Sequence, residues 1–172
     1  MLTSRLATPD DEPALRHVMA LAIDQLQQSF LTPEQVVASH AFMGLDSRLI
    51  ADGTYFVIDD GGTIAGCGGW SRRATPYGHD SSATRDDRLL DPATEPAKVR
   101  AMYTHPTHVR RGVGRMIMML CEEAAQAEGF SSLELSATLA GAPLYRACGF
   151  HDVARLMDGG VPLIRMQKNL IS

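Results

Sequence analysis

The segment from Val99 to Gly129 limits the possible folds more than any other part of the chain. Val99 to Thr104 has the composition of a strand, and the loop that follows contains Arg110-Arg111-Gly112-Val113-Gly114. The loop leads directly into apolar positions with helical spacing: Val113, Met116, Ile117, Leu120, Ala124 and Ala127. A helix that follows a strand in this way needs a sheet on which to pack, so the segment predicts an α/β chain.

Other segments supply further strands and helices. The predicted strands are Thr3–Ala7, Thr54–Ile58, Ile64–Trp70, Leu133–Ser136, Phe150–Met157 and Leu163–Met166. The predicted helices are one over Leu15–Leu26, one that begins at the Thr32 capping box and ends near Gly44, and a short one over Ala140–Ala147. This order predicts a mixed α+β sheet covered by helices, in a single domain over residues 1–172.

The composition argues against several classes of protein. The chain carries 16 Lys and Arg against 20 Asp and Glu, a net charge of −4, and 6% aromatic residues. Neither value favours a nucleic-acid partner. No apolar run approaches the roughly 18–20 residues that span a bilayer, and the start lacks a signal-peptide pattern. The separated Cys67, Cys121 and Cys148 favour buried thiols, so we expect a soluble cytoplasmic protein.

The glycine-containing loop predicts an anion site. The first N–H groups of a helix lack partners within the helix, and the helix dipole favours negative charge there. Gly112 and Gly114 would let a phosphate approach the backbone, and Arg110 and Arg111 could add charge-assisted contacts. The pattern is neither a P-loop, since no Lys-Ser or Lys-Thr is present, nor a dinucleotide fingerprint, since residue 117 is isoleucine.

Two motifs together resemble the GNAT N-acetyltransferase superfamily. The first is Met102-Tyr103-Thr104-His105-Pro106 followed by Arg110-Arg111-Gly112-Val113-Gly114, and the second is Leu144-Tyr145-Arg146-Ala147-Cys148-Gly149-Phe150. The resemblance covers nearly the whole chain, from about residue 2 to 170. It implies a mixed, mostly antiparallel sheet that is splayed at a central parallel strand pair and flanked by helices. It also implies acetyl-CoA as cosubstrate, with no metal.

The resemblance assigns cofactor contacts residue by residue. The pyrophosphate of CoA would bind Val109, Arg110, Arg111, Gly112, Val113 and Gly114, and the pantetheine arm would pair with Met102, Tyr103 and Thr104. Val109 stands where the family usually has Gln or Arg. Thr138 stands where the family usually has an asparagine that contacts the cofactor.

The resemblance also implies catalytic roles. Tyr145 would protonate the departing thiolate, and backbone N–H groups near Met102 to Thr104 would stabilise the oxyanion. Glu134 is the candidate general base, and a water relay is the alternative route for the amine proton. An outward-facing carboxylate without a catalytic role fits the sequence of Glu134 equally well. His105 and His108 are predicted to be solvated loop histidines rather than a metal pair.

These inferences predict an N-acetyltransferase that transfers acetyl from acetyl-CoA to a primary amine of a small molecule or peptide by direct attack. The alternative is a non-catalytic acyl-CoA-binding sensor with the same fold. The resemblance also allows a homodimer. The polar segment from Ser71 to Pro96 is either an acceptor-recognition loop or a mobile surface excursion.

Overall fold

The computed structural model describes residues 1–170. Within them, seven strands form one sheet in the order β1-β2-β3-β4-β5-β7-β6. The strands are β1 (Leu2–Leu6), β2 (Tyr55–Asp60), β3 (Thr63–Ser71), β4 (Ala97–Thr104), β5 (Ser132–Thr138), β6 (His151–Asp158) and β7 (Val161–Asn169). The helices are α1 (Glu12–Leu26), α2 (Pro33–Ser39), α3 (Ser47–Ala51), α4 (Val113–Ala127) and α5 (Ala142–Ala147).

The central strands β4 and β5 are the only parallel neighbours in this sheet, and they touch over a short length. Only two residue pairs join them, Ala97 with Leu133 and Lys98 with Glu134, while every other strand pair is antiparallel. Beyond Lys98 the two strands separate. The predicted fold class, with its splayed parallel pair, is confirmed.

Helix α4 packs unusually close to strand β3, which explains the glycines of that strand. A Cβ atom on Gly66 would lie 2.4 Å from Val113 Cγ1, and one on Gly68 would lie 2.8 Å from Ile117 Cγ2. Glycine is otherwise unfavourable inside a strand, since it offers no side chain to pack. Here the missing side chains let the apolar face of α4 reach the sheet, which buries Val113 and Ile117 almost completely.

One predicted helix ends at a different residue in the structure, and one short helix was not predicted. The Thr32 capping box is present, but α2 ends at Ser39 instead of near Gly44, and the sequence analysis missed α3. Helix α3 has only five residues, so it has no helical periodicity to detect, although the Asp46 side chain caps it by accepting a hydrogen bond from the Arg48 N–H.

The segment from residue 72 to 96 is hydrogen-bonded across itself. The backbone N–H groups of Ala74 and Thr75 donate to the carbonyls of Arg88 and Asp86, at 2.9 Å in each case. Arg85 also reaches the buried carboxylate of Asp46 at 3.1 Å. These contacts fix the segment against the sheet and α3.

Among residues 1–170, no helix is long and apolar enough to cross a membrane.

The packing of β3 against β2 gives a first prediction. Gly69→Val should lower the free energy of unfolding by about 3 kcal/mol or more, because a Cβ atom there would lie 2.2 Å from the Thr54 carbonyl oxygen. Chemical denaturation measures the change. Thr63→Val, an exposed position in the same strand, is the control and should change stability by less than about 0.5 kcal/mol. Equal losses in the two variants would contradict this packing argument.

Candidate active site

The separation of β4 from β5 opens two neighbouring cavities. The larger, of about 840 Å³, lies between the start of α4, α5 and α1. The smaller, of about 90 Å³, lies below residues 76–78 of the long loop. Five residues line both cavities: Met43, Met102, Tyr103, Thr138 and Tyr145. The two spaces therefore meet beside the splayed strands, at the position of Tyr145.

The start of α4 forms one end of the larger cavity. Gly112 is the N-cap with φ 81°, and Arg110 has φ 61°, so the loop turns twice through the left-handed region. A Cβ atom on Gly112 would meet nothing within 4 Å, which leaves the space in front of the helix open. Val109 and Arg115 also line this end. Free N–H groups, a helix dipole and arginines together suit an anionic ligand.

Three loop residues that were predicted to contact CoA make contacts within the protein. Arg111 does not line either cavity, and its guanidinium lies 3.4 Å from Asp60 Oδ2. The Val113 side chain is buried against Gly66, so only its backbone is available to a ligand. Gly114 lets α5 pack closely on the loop, because a Cβ atom there would lie 2.4 Å from Leu144 Cδ2 in α5. This last contact brings α5, and Tyr145 with it, against the loop.

A bulge in β4 shapes the wall shared by the cavities. Arg100 pairs with Gly69 and Tyr103 pairs with Cys67, so Ala101 and Met102 together face Gly68. Ala101 has φ 51°, and its carbonyl accepts a 2.6 Å hydrogen bond from the Tyr55 hydroxyl. A bulge leaves a residue out of the strand ladder and redirects its backbone groups. With β5 already separated, this edge of β4 is free to pair with an extended ligand.

Tyr145 stands where the cavities meet. The turn before α5 is held by Thr138, whose Oγ1 accepts a 3.1 Å hydrogen bond from the Gly141 N–H. The Tyr145 ring packs edge-on against Phe150 with centroids 6.2 Å apart, and its hydroxyl bonds to no residue within 1–170. Burial, with Cys121 and Cys148 nearby, raises the pKa of Tyr145 above its ordinary value. The hydroxyl therefore carries its proton at neutral pH.

Glu134 lies at the closed end of the splay, outside the residues that line the cavities. Its carboxylate accepts hydrogen bonds from Lys98 Nζ and, at 2.8 Å, from Gln167 Nε2. Burial raises the pKa of Glu134, but these hydrogen bonds outweigh burial and lower it below the ordinary value. A carboxylate that is already paired in this way is a weak proton acceptor and holds β4 to β5 instead.

The prediction of solvated histidines is wrong for His108. This side chain is buried, its Nε2 lies 3.0 Å from Asp60 Oδ2, and its Nδ1 lies 2.8 Å from Thr107 Oγ1. His108 also lines the larger cavity. Within residues 1–170 no group of three or more His, Cys, Asp or Glu side chains is arranged to hold a metal ion.

Sequence reasoning also missed most of the walls of both cavities. The apolar side chains Ala22, Ile23, Leu26 and Phe30 of the α1 region line the larger one, and Phe42, Tyr77, Arg100 and Leu163 line the smaller. These residues come from separate elements and share no motif. Only the length and polarity of the loop around Tyr77 gave a signal.

Comparison with known proteins identifies the family. The profile of the acetyltransferase (GNAT) family matches residues 18–150, so the chain belongs to this family. No curated protein matches the sequence.

Solved structures share the fold at low sequence identity. A GCN5-related N-acetyltransferase from Rhodopseudomonas palustris is 20% identical, with 98% of this chain and 95% of that chain covered and a TM-score of 0.71. The PaiA N-acetyltransferase from Thermoplasma acidophilum, in complex with coenzyme A, is 12% identical, with 98% and 99% covered and a TM-score of 0.66. YncA, a putative acetyltransferase from Salmonella typhimurium with its cofactor acetyl-CoA, is 17% identical, with 99% and 94% covered and a TM-score of 0.64.

The open space before α4 gives a second prediction. Gly112→Asp should weaken CoA binding at least about 30-fold relative to Gly112→Asn, because the two side chains have the same shape and only the aspartate adds negative charge at an anion site. Isothermal titration calorimetry with CoA measures both variants. Equal affinities would show that the pyrophosphate binds away from this loop.

Proposed function

We propose that this protein transfers the acetyl group of acetyl-CoA to a primary amine of a small molecule or peptide by direct attack, without a covalent enzyme intermediate. The observation that carries this proposal is that a large cleft with an anion site and a smaller cavity share Tyr145 in their walls. We further propose that residues 1–172 act as a single N-acetyltransferase domain. The homodimer and the cytoplasmic location stay predictions.

The larger cavity supports acetyl-CoA as the cosubstrate. The backbone from Val109 to Gly114, with Arg110 and Arg115, would hold the pyrophosphate at the start of α4. The unpaired edge of β4 from Met102 to Thr104 would hold the extended pantetheine arm through backbone hydrogen bonds. Thr138 lines the same cleft but uses its Oγ1 to cap the turn before α5. When bound, acetyl-CoA supplies an acetyl group activated as a thioester.

The residues at the junction supply the remaining catalytic requirements. Tyr145 Oη, which is protonated at neutral pH, would give its proton to the departing sulfur as the carbon–sulfur bond breaks. The backbone N–H groups of the β4 bulge, around Met102, would donate to the carbonyl oxygen as its negative charge grows.

We assign removal of the amine proton to water. No Asp or Glu lies among the residues of the described chain that line the two cavities, and Glu134 is held by Lys98 and Gln167. Of the two routes that the sequence left open, the water relay is therefore the better supported. Glu134 would act on catalysis by positioning β5 against β4.

The role of Tyr145 gives a third prediction, which compares the wild-type protein with the Tyr145→Phe variant. With acetyl-CoA and a panel of primary amines, release of free thiol should depend on the amine. In the variant, kcat should fall by roughly 10²–10⁴ while KM for acetyl-CoA changes little, since only the proton donor is removed. Undiminished kcat in Tyr145→Phe would exclude the acid role. CoA binding with no turnover on any amine would support the sensor instead.

The loop around Tyr77 gives a fourth prediction. The Tyr77 ring packs edge-on against Phe42 with centroids 5.8 Å apart, and its hydroxyl donates to Asp158 Oδ2 at 2.9 Å. Tyr77→Ala should raise KM for the acceptor at least several-fold and leave CoA affinity unchanged, because the ring lines only the smaller cavity. Tyr77→Phe keeps the ring and should stay near wild type. An acceptor KM that is unchanged in Tyr77→Ala would show that this loop takes no part in recognition.

A further inference from the structure

Arg100 lines the smaller cavity and has no role in the proposed acetyl transfer. It lies on β4 just before the bulge and lines the cavity together with Met43 and Gly78. The residue is 3% exposed, yet it carries a guanidinium group. A buried charge of this kind is costly unless its hydrogen-bonding groups are satisfied.

The guanidinium of Arg100 is only partly satisfied. Nη2 donates to Asp46 Oδ2 and to the Gly78 carbonyl, at 3.0 Å in each case. The N–H groups on Nε and Nη1 donate to no residue within 1–170. Among the described residues, Gln27 Oε1 is the one fully enclosed side-chain polar atom without a partner. The free N–H groups of Arg100 are therefore not fully enclosed, and Arg100 lines the smaller cavity.

Arg100 has one counter-ion, and it shares that carboxylate with a second arginine. Asp46 is 2% exposed and shares its carboxylate between two guanidinium groups, with Arg100 at 3.0 Å and Arg85 at 3.1 Å. None of the described residues that line the cavity is an Asp or Glu. Arg85 also lies 3.5 Å from Asp87 and 3.9 Å from Asp80, whereas Arg100 pairs with Asp46 alone among the described residues. A cavity that is lined by a guanidinium group and by no carboxylate disfavours a cation and favours an anionic group.

The remaining lining residues of the smaller cavity restrict the size and polarity of the rest of the ligand. Phe42, Leu135 and Leu163 are apolar, and Tyr77 presents its ring. The volume of about 90 Å³ suits a small molecule. An apolar pocket with a single charged group orients a ligand that has one charged end and an apolar body.

We propose that the acceptor is a small amino-acid-like amine, whose carboxylate is bound by the free N–H groups of Arg100 and whose apolar side chain packs against Phe42 and Tyr77. This inference rests on the proposed acetyl transfer. The carboxylate would accept hydrogen bonds from the N–H groups that Arg100 leaves unused, and the amine of the same molecule is thereby directed towards Tyr145. A polyamine or another polycation does not fit this pocket.

Matched pairs of acceptors test this on the wild-type protein. Leucine is compared with 3-methylbutylamine, and phenylalanine with 2-phenylethylamine, so that the members of each pair differ in the carboxylate. Because the carboxylate also lowers the pKa of the amine, kcat/KM is expressed per concentration of neutral amine. The kcat/KM of the better amino acid should exceed that of its amine by about 10- to 100-fold, the usual range for a hydrogen bond to a charged group. Equal or reversed preference in both pairs, with turnover present, would overturn the inference and leave acetyl transfer intact.

Arg100→Gln identifies the residue responsible. The variant should lose the preference for the carboxylate, while CoA affinity stays within about twofold because Arg100 does not line the larger cavity. Arg85→Gln is the matched control, since Arg85 shares Asp46 but does not line the smaller cavity, and it should keep the preference. Loss of the preference in both variants alike would show a merely structural role for this ion-pair group and overturn the assignment to Arg100.

A binding measurement separates failure of this inference from failure of the proposed function. Calorimetric titration of CoA-loaded wild-type protein with leucine and phenylalanine needs no turnover. Binding of an amino acid but not of its matched amine, without turnover, would refute acetyl transfer yet support the carboxylate site. Absence of amino-acid binding and of any carboxylate preference would overturn the site, whether or not other amines are acetylated.

Discussion

The rest of the structure depends on the short length over which β4 and β5 pair. Two residue pairs join these parallel strands, and one of them contains the ion pair between Lys98 and Glu134, whose side chains are 11% and 13% exposed. Breaking a buried pair by removing one partner costs about 3–5 kcal/mol, so this junction is fixed. Because the strands separate just beyond it, the sheet gains an internal edge while its outer strands stay fully paired.

That internal edge needs walls on both sides, and the sequence supplies them by different means. On one side, the glycines of β3 draw α4 close, and Gly114 lets Leu144 of α5 pack on the start of α4. On the other side, Asp46 ties α3 and the long loop to β4 through Arg85 and Arg100. The first wall is apolar and presents backbone N–H groups, and the second contains buried charge. This difference is why we assign the cofactor to the first and the acceptor to the second.

The sequence allowed prediction of the features that are local in the chain. The glycine loop before α4 and the tyrosine of α5 could be placed because each motif lies within about ten residues. The splay of the sheet followed from the family resemblance, not from periodicity. Glu134 could not be placed, since the face of a strand on which a residue lies depends on its pairing. In the structure Glu134 lies on the same face of β5 as Ser136 and Thr138, which line the cavities, but at the end of the strand where β4 and β5 still touch. Arg100 was missed for a similar reason: the Asp46 carboxylate and the Gly78 carbonyl that hold its guanidinium come from two segments that are distant in the chain.

The central claim is that the two cavities form one reaction path through Tyr145. A crystal structure with a conjugate in which the CoA sulfur is joined to an amino acid through an acetyl bridge tests it most directly. We predict that the sulfur lies within hydrogen-bond distance of Tyr145 Oη, with the pyrophosphate at Gly112 and the amino-acid part in the cavity beside Arg100. A conjugate whose amino-acid part leaves the cleft on the α1 side, with the smaller cavity empty, would contradict this account.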